Sequence, residues 1–152
     1  MSMFHSLNIT SSALTAQRLR MDVISSNMAN ADTNRANLVD GEWEPYRRKM
    51  VVMQSKEHSF SSVLKGAMNE ADPSRVGHGV KVTRIVEDET PFQLIFDPEH
   101  PDADEDGYVK MPNVDPLREM VDLMSTTRSY EANVTVLNAS KNMLMKALEI
   151  GK

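Results

Sequence analysis

Acidic residues are densest in DADEDG, residues 102–107, whose alternating carboxylates match the opening of a calcium-binding loop. Counted from Asp102, the ninth position is Lys110 and the twelfth is Asn113, where such a loop needs a bidentate glutamate. Prolines on both sides of the segment also oppose the helices that flank this motif. We therefore favour an acidic surface loop, keep a soluble calcium-binding module as the alternative, and expect no metal and no other cofactor.

Residue patterns for catalysis are scarce. The four histidines are scattered without metal-ligand spacing, and the chain contains no cysteine, no G-x-S-x-G elbow and no phosphate-binding glycine pattern. His100 beside Asp97 or Asp102 has the residue types of a base and its orienting acid, although acids around one histidine in a proline-rich loop are more often solvated charge. We predict that the protein is not an enzyme and has no catalytic residues.

Three asparagines stand at helical spacing in SSNMANADTN, residues 25–34. Asn27, Asn30 and Asn34 share one helix face, which Ser26 joins within a turn. A row of amides at a packing surface fixes register, because a slip leaves buried amides unpaired. The pattern suits an assembling protein, and the alternative is a fraying helix end followed by a turn.

Charge is distributed unevenly along the 152 residues. Residues 87–106 hold nine of the 22 acids and no lysine or arginine, so the rest of the chain is mildly basic although the net charge is −5. This balance argues against nucleic-acid binding. The acidic segment either helps identical or related subunits meet head to tail or is a solvated loop. The basic run Arg47–Lys49 is expected to pair with acids, such as the 97–106 loop of a neighbour, or to be an exposed strand end.

No apolar run approaches the ~20 residues of a membrane helix, and the first residues lack the basic and apolar regions of a cleaved signal peptide. We expect no direct membrane insertion.

Helical periodicity dominates both ends of the chain. From Phe4 to about Ala31, apolar residues recur seven apart, and from Asp115 onward the steps alternate between three and four. Asp115 is a good N-cap and Pro116 suits the first helical position. Between the ends, strands are predicted at 49–54, 80–86 and 92–96 and a short helix at 60–68.

These patterns predict an α+β fold with a terminal helical assembly domain, residues 1–31 and 113–152, and an inserted β-rich domain, residues 32–112. A seam of roughly 30 residues spans about 45 Å, too long for so small an insert to cover. We expect the helices to pack as a coiled-coil-like layer on each other and on neighbouring chains, and to be largely disordered in the free subunit. The alternative is an ordinary α+β monomer with its terminal helices across a sheet.

Specific motifs carry a family resemblance over nearly the full length. The opening ALTAQRLRMDVISSNMANADTN resembles the first helix of the flagellar rod and hook axial proteins, PYRRKMVV resembles their first strand, and GYVKMPNVDP with RSYEANV resembles the FlgC family of proximal-rod proteins in particular. Residues 35–44, RANLVDGEWE, follow no strong pattern and are expected to be a variable loop.

The resemblance implies a non-catalytic structural subunit of the bacterial flagellar basal-body rod, which polymerises through its terminal helices into a torque-transmitting shaft. It implies export by the flagellar type III apparatus without signal cleavage, and partners that are other copies of the chain and other rod proteins. Carried over by position, the expected assembly contacts are Leu14, Met21, Ile24, Asn27, Asn30, Tyr130, Asn133, Val134 and Leu137. We further hypothesise that Asn27, Asn30 and Asn133 pair across subunits.

Overall fold

The computed structural model describes residues 3–39, 41–56 and 79–150. Within these residues the elements follow in the order α1 (Met3–Ala29), β1 (Asn37–Val39), β2 (Glu42–Glu44), β3 (Lys49–Ser55), β4 (Val80–Glu87), β5 (Gln93–Phe96), β6 (Tyr108–Met111) and α2 (Pro116–Ile150). The predicted α+β class with long terminal helices is confirmed. The short helix expected at 60–68 lies outside the described residues.

Strands in the described part of the chain form three two-stranded sheets, in which β1 pairs with β2, β3 with β4 and β5 with β6. The β1–β2 pair is an antiparallel hairpin that sets Leu38 opposite Trp43, and β5–β6 is an antiparallel pair that sets Ile95 opposite Val109. The strands expected at 49–54 and 80–86 are confirmed, and the one expected at 92–96 begins one residue later. The first hairpin and β6 were not predicted.

Helix α2 begins where its capping residues require. The Asp115 carboxylate accepts hydrogen bonds from the backbone N–H groups of Leu117, at 2.9 Å, and Arg118, at 3.4 Å, and Pro116 is the first helical residue. The predicted start near 115 is therefore confirmed. Helix α1 ends at Ala29, where the Asn30 N–H bonds back to the carbonyls of Ser26 and Asn27, both at 3.2 Å.

The chain divides into two compact units. One contains residues 1–19, 52–84 and 126–152, and the other contains residues 20–51 and 85–125. We call them the first and the second unit. This division does not follow the domains expected from the sequence, which remain a prediction.

In the first unit, helix α1 and the start of β4 approach closely at a glycine. The Ser12 hydroxyl donates to the Ile9 carbonyl at 2.7 Å and accepts from the Val80 N–H at 3.2 Å. Gly79 has φ +93, and a Cβ placed on it would lie 2.3 Å from the Ser12 Oγ. This position therefore requires glycine, both for its backbone conformation and for its space.

The core of the second unit mixes apolar and polar side chains. Its buried apolar residues are Val23, Ile24, Pro45, Tyr46, Val109, Pro112 and Val114. Beside them lie the buried polar residues Asn27, Arg48 and Glu119. Buried polar groups are stable only when they are hydrogen-bonded, so these three need partners inside the unit.

Candidate assembly site

Asn27, in the last turn of α1, is held by four hydrogen bonds from its side chain. The amide nitrogen donates to the Lys49 carbonyl at 2.9 Å and to the Glu119 carboxylate at 3.0 Å, and the amide oxygen accepts from the Lys49 N–H at 2.9 Å and the Tyr46 hydroxyl at 3.1 Å. An asparagine amide offers two donors and one oxygen with two acceptor positions. Every one of them is used, so this side chain joins α1 to the first residue of β3 and to α2.

Arg48 precedes β3 and lies among three carboxylates. Its Nε donates to Glu119 Oε1 at 2.5 Å, while Asp122 and Asp88 approach its terminal nitrogens at 3.4 and 3.6 Å. The Glu119 side chain is fully buried. A buried carboxylate is tolerated only with a paired charge and filled hydrogen-bonding positions, which Arg48 and Asn27 supply.

Asp88 follows β4 and its ionised form is stabilised locally. The Thr90 hydroxyl and the Thr90 N–H donate to Asp88 Oδ1 at 2.7 and 3.1 Å. These hydrogen bonds, together with the nearby Arg48 charge, lower the pKa of Asp88 below its ordinary value of 3.8, against a smaller opposing effect of burial. Asp88 therefore stays ionised beside Arg48 to a lower pH than an ordinary aspartate does.

The Asn113 side chain links the segment that precedes α2 to two other segments of the second unit. Its amide oxygen accepts from the Arg48 N–H at 2.7 Å, and its amide nitrogen donates to the carbonyls of Asp88 and Thr90, both at 3.1 Å. The chain segments before α2, before β3 and after β4 are thus joined by one side chain. Together with Asn27, Arg48, Glu119 and Asp88, this residue forms what we call the polar anchor.

The first turns of α2 also present an apolar surface to solvent. Leu117, Val121 and Met124 are 72%, 61% and 52% exposed, and their spacing of four and three residues puts them on one helix face. Neighbouring Met120 is also exposed. We call Leu117, Val121 and Met124 the apolar stripe. Large contiguous exposed apolar patches are typical of surfaces that bind other molecules.

Comparison with known proteins finds relatives along the whole chain. Residues 7–36 match the family model described as "Flagella basal body rod protein", and residues 105–150 match "Flagellar basal body rod FlgEFG protein C-terminal". The flagellar basal-body rod protein FlgC of Bacillus subtilis is 64% identical over the full length of both chains. Those of Borreliella burgdorferi, at 44% over 99% of this chain and 98% of the relative, and Salmonella typhimurium, at 41% over both full lengths, are also similar.

The chain belongs to the FlgC family of flagellar basal-body rod proteins. Membership makes it a structural subunit of the rod, located in the flagellar basal body, and assembly with other rod components follows from that role. The resemblance read from the sequence is confirmed. In the part of the chain that the structure describes, no helix has the length and apolar character needed to cross a membrane.

The structure places the assembly contacts expected of a FlgC protein in different environments. Ile24 and Asn27 are buried in the second unit, and the remaining seven are half-buried: Leu14, Met21, Asn30, Tyr130, Asn133, Val134 and Leu137. The three residues of the apolar stripe are more exposed than all nine, and sequence reasoning missed them. Their spacing of four and three residues fits one face of a helix, beside the face predicted to pack in the coiled-coil-like layer.

The asparagines expected to pair across subunits make bonds within this FlgC-family chain. Asn30 and Asn133 each donate from the side chain to the carbonyl four residues earlier, at 2.8 Å. Asn27 has no unused donor or acceptor for a neighbour. The Asn27 amide therefore has an intrachain role in this structure. Its pairing with another subunit, like the contacts at the other eight positions, remains a prediction.

In the acidic loop of this FlgC-family chain, Asp102 forms an ion pair with Arg35. Arg35 Nε donates to Asp102 Oδ1 at 2.7 Å, and the Asp102 N–H bonds to the His100 ring at 3.1 Å. Among the described residues, no group of three or more histidine, aspartate or glutamate side chains is arranged to hold a metal ion. Asp102, the first position of the calcium motif, is thus used in an ion pair with Arg35.

Proposed function

We propose that this chain polymerises as a subunit of the proximal rod and transmits torque mechanically, without catalytic activity. Its terminal helices make the contacts to other copies of itself and to other rod proteins. The observation that carries the proposal is the apolar stripe on α2, whose three side chains are at least half exposed in the single chain. Covering such a surface is favourable by about 25 cal/mol per Å² of apolar area, which drives association.

The polar anchor supports this role because it fixes the position and rotation of the α2 turns that carry the stripe. Glu119 lies between Leu117 and Val121 in sequence but faces into the second unit, where Arg48 and Asn27 hold it. The first turns of α2 cannot rotate or slide without separating this ion pair. A rigid helix face loses little entropy on docking, so the anchor prepares the stripe for contact.

The apolar stripe gives a direct test. Leu117→Gln with Val121→Gln should keep the soluble chain folded, because both residues are exposed, and should sharply reduce the amount of the chain in purified basal bodies and the fraction of swimming cells. Arg118→Gln, an exposed change on the same turns, is the matched control and should leave both unaltered. Circular dichroism of the soluble variants checks the fold. Incorporation and swimming of the double variant at the unaltered level would contradict the proposal.

The half-buried amides provide a second, independent test of the terminal-helix contacts. Asn30→Ala with Asn133→Ala removes two side chains whose intrachain bonds reach only residues three or four positions away in the chain. If these residues also contact neighbours, assembly should weaken while the soluble chain keeps its helix content. Normal motility of this variant would show that neither Asn30 nor Asn133 makes a contact that assembly needs.

We also propose that the subunit reaches the rod through the flagellar type III export apparatus, without cleavage of a signal peptide. The support is the family, since rod proteins share one destination. Mass spectrometry of the N-terminal peptide in purified basal bodies tests it, because an uncleaved chain keeps the residues around Phe4. A truncated N-terminus in the particles would overturn this part.

A further inference from the structure

The first unit contains a groove between α1 and the start of β4, with a volume of about 890 Å³. Its polar wall includes the hydroxyls of Ser11 and Thr15 on α1, and its charged wall includes Lys56 and Lys81. Both lysines are exposed, and neither makes a salt bridge within the described part of the chain. No acid is among the described residues that line the groove. We call this surface the basic groove.

The second unit presents the opposite charge on the loop between β5 and β6. Asp104, Glu105 and Asp106 are exposed, and no salt bridge in the described residues reaches their carboxylates. The loop backbone is held in place, because the Asp104 N–H bonds to the Tyr108 carbonyl and the Gly107 N–H bonds to the Asp104 carbonyl, both at 2.9 Å. Asp104, Glu105 and Asp106 of this acidic loop, residues 97–106, are therefore three unpaired negative charges on a fixed backbone.

We propose that the acidic loop of one copy docks into the basic groove of a second copy. Charge complementarity selects this occupant, because the groove offers two unpaired lysines where the loop offers three unpaired carboxylates. The two surfaces differ, so the contact is heterologous. Each docked pair leaves one groove and one loop unoccupied, and such a contact propagates into an open helical array unless its rotation closes a ring.

The inference rests on the proposed function, because it names one of the contacts through which the subunits polymerise. It goes beyond the apolar stripe in assigning direction: the stripe supplies buried area, and the loop with the groove fixes which side of one copy meets which side of the next. Charged contacts act mainly on orientation and association rate and weaken with salt.

Cysteine cross-linking tests the contact without background, because the chain has no cysteine of its own. A chain with Ser11→Cys in the groove is mixed with a chain with Glu105→Cys in the loop, so that both lysines are kept. The matched control replaces the Ser11→Cys chain with Ser25→Cys, which changes an exposed serine of α1 outside the groove. We expect the Ser11 pair to give at least about fivefold more mixed disulfide dimer than the control, and less at high salt.

Two results would overturn the docking. One is an equal dimer yield for the Ser11 and Ser25 mixtures. The other is formation of a disulfide within single dilute chains that carry both Ser11→Cys and Glu105→Cys, since the loop would then occupy the groove of its own chain.

Charge-reversal substitutions test the same contact through their effect on self-association. Lys56→Glu with Lys81→Glu, or Asp104→Lys with Asp106→Lys, should each weaken self-association by about tenfold or more, because like charges then face each other. Mixing the two reversed chains should restore association between them, and Arg84→Glu, on β4 outside the groove, should change little. If mixing restores nothing, the loop and groove do not meet.

The same variants separate the two proposals in cells. If the charge-reversed chains enter basal bodies as well as the unaltered chain does, while the Leu117→Gln, Val121→Gln chain does not, the groove contact is wrong and the proposed function stands. If the stripe variant assembles and the cells swim, the proposed function fails by its own test.

Discussion

Arg48 shows how one buried charge organises its surroundings. Its guanidinium bonds to a fully buried glutamate and lies near two further carboxylates, while the preceding Arg47 extends over the Phe92 ring at 4.4 Å. Breaking a buried ion pair costs more than the pair contributes, because the remaining charge is left without compensation. The two neighbouring arginines therefore have very different consequences for stability.

We expect Arg48→Ala to lower the free energy of unfolding by about 3–5 kcal/mol, because Glu119 would be left buried and unpaired. Arg47→Ala should cost only about 1 kcal/mol, the scale of a cation–π contact between half-buried residues. Urea unfolding followed by circular dichroism measures both. Replacing the pair together, as Arg48→Met with Glu119→Leu, should recover most of the loss. Equal destabilisation by Arg47→Ala and Arg48→Ala would show that the ion pair is not critical.

Asp88 predicts a specific dependence of stability on pH. Because the Thr90 hydrogen bonds and Arg48 lower its folded-state pKa, its stabilising contribution is fully present above the unfolded-state pKa of about 3.9 and is lost as the pH falls through the folded-state value. Asp88→Asn should therefore be less stable than the unaltered chain at pH 7, with the difference shrinking below about pH 4. Unfolding curves between about pH 2.5 and 7 test this, with exposed Glu89→Gln as the control. A difference constant across that range would contradict it.

The sequence indicated which kinds of residue would matter, but it did not indicate which residues they contact. The amide row at 25–34 was recognised as unusual, and the run Arg47–Lys49 was expected to pair with acids. Within the described chain Arg48 pairs with Glu119, Asp88 and Asp122, and pairing of the basic run with the 97–106 loop of a neighbour stays a prediction. Asn27 and Glu119 are 92 residues apart, and no local pattern indicates a contact at that separation.

At the scale of elements, the helices were predictable because their apolar periods and the Asp115–Pro116 start are local features. The β1–β2 hairpin was not predicted, although Asp-Gly at 40–41 is a strong two-residue turn signal. Short strands with exposed residues on both faces lack the alternation that identifies a strand. The turn dipeptide was therefore the only local signal for the hairpin. Residues 35–44 were expected to be a variable loop, whereas the structure has β1 and β2 there.

Two glycines with positive φ should respond differently to a methyl group. Gly41 has φ +90 with nothing within 4 Å of an added Cβ, whereas Gly79 combines φ +93 with the Ser12 Oγ at 2.3 Å. We expect Gly41→Ala to cost about 1 kcal/mol from backbone strain alone, and Gly79→Ala more than about 2 kcal/mol. Adding Ser12→Ala should relieve part of the Gly79→Ala loss but none of the Gly41→Ala loss. Thermal unfolding of the four variants decides, and equal costs at the two glycines would contradict the steric argument.

At the scale of the whole molecule, the free subunit has to be distinguished from the assembled one. The sequence predicts that both terminal helices are largely disordered until they pack on neighbours, because an amphipathic helix draws most of its stability from packing. The structure refines this expectation. Residues 20–29 and 116–125 belong to the unit that holds the polar anchor, whereas every residue from 145 to 150 is exposed.

Order in the free subunit should therefore be graded along α2 rather than absent from it. In a dilute monomer we expect amide exchange to be slowest near Glu119, where opening the helix separates it from Arg48, and fastest over residues 145–150, which have no packing to lose. Assembly should slow exchange most at that distal end, because its exposed residues gain packing only from a partner. Arg48→Ala serves as the internal control: it should speed exchange around Glu119 and leave residues 145–150 unchanged. Uniform strong protection from 116 to 148 in the monomer would mean that the helix is stable without its neighbours.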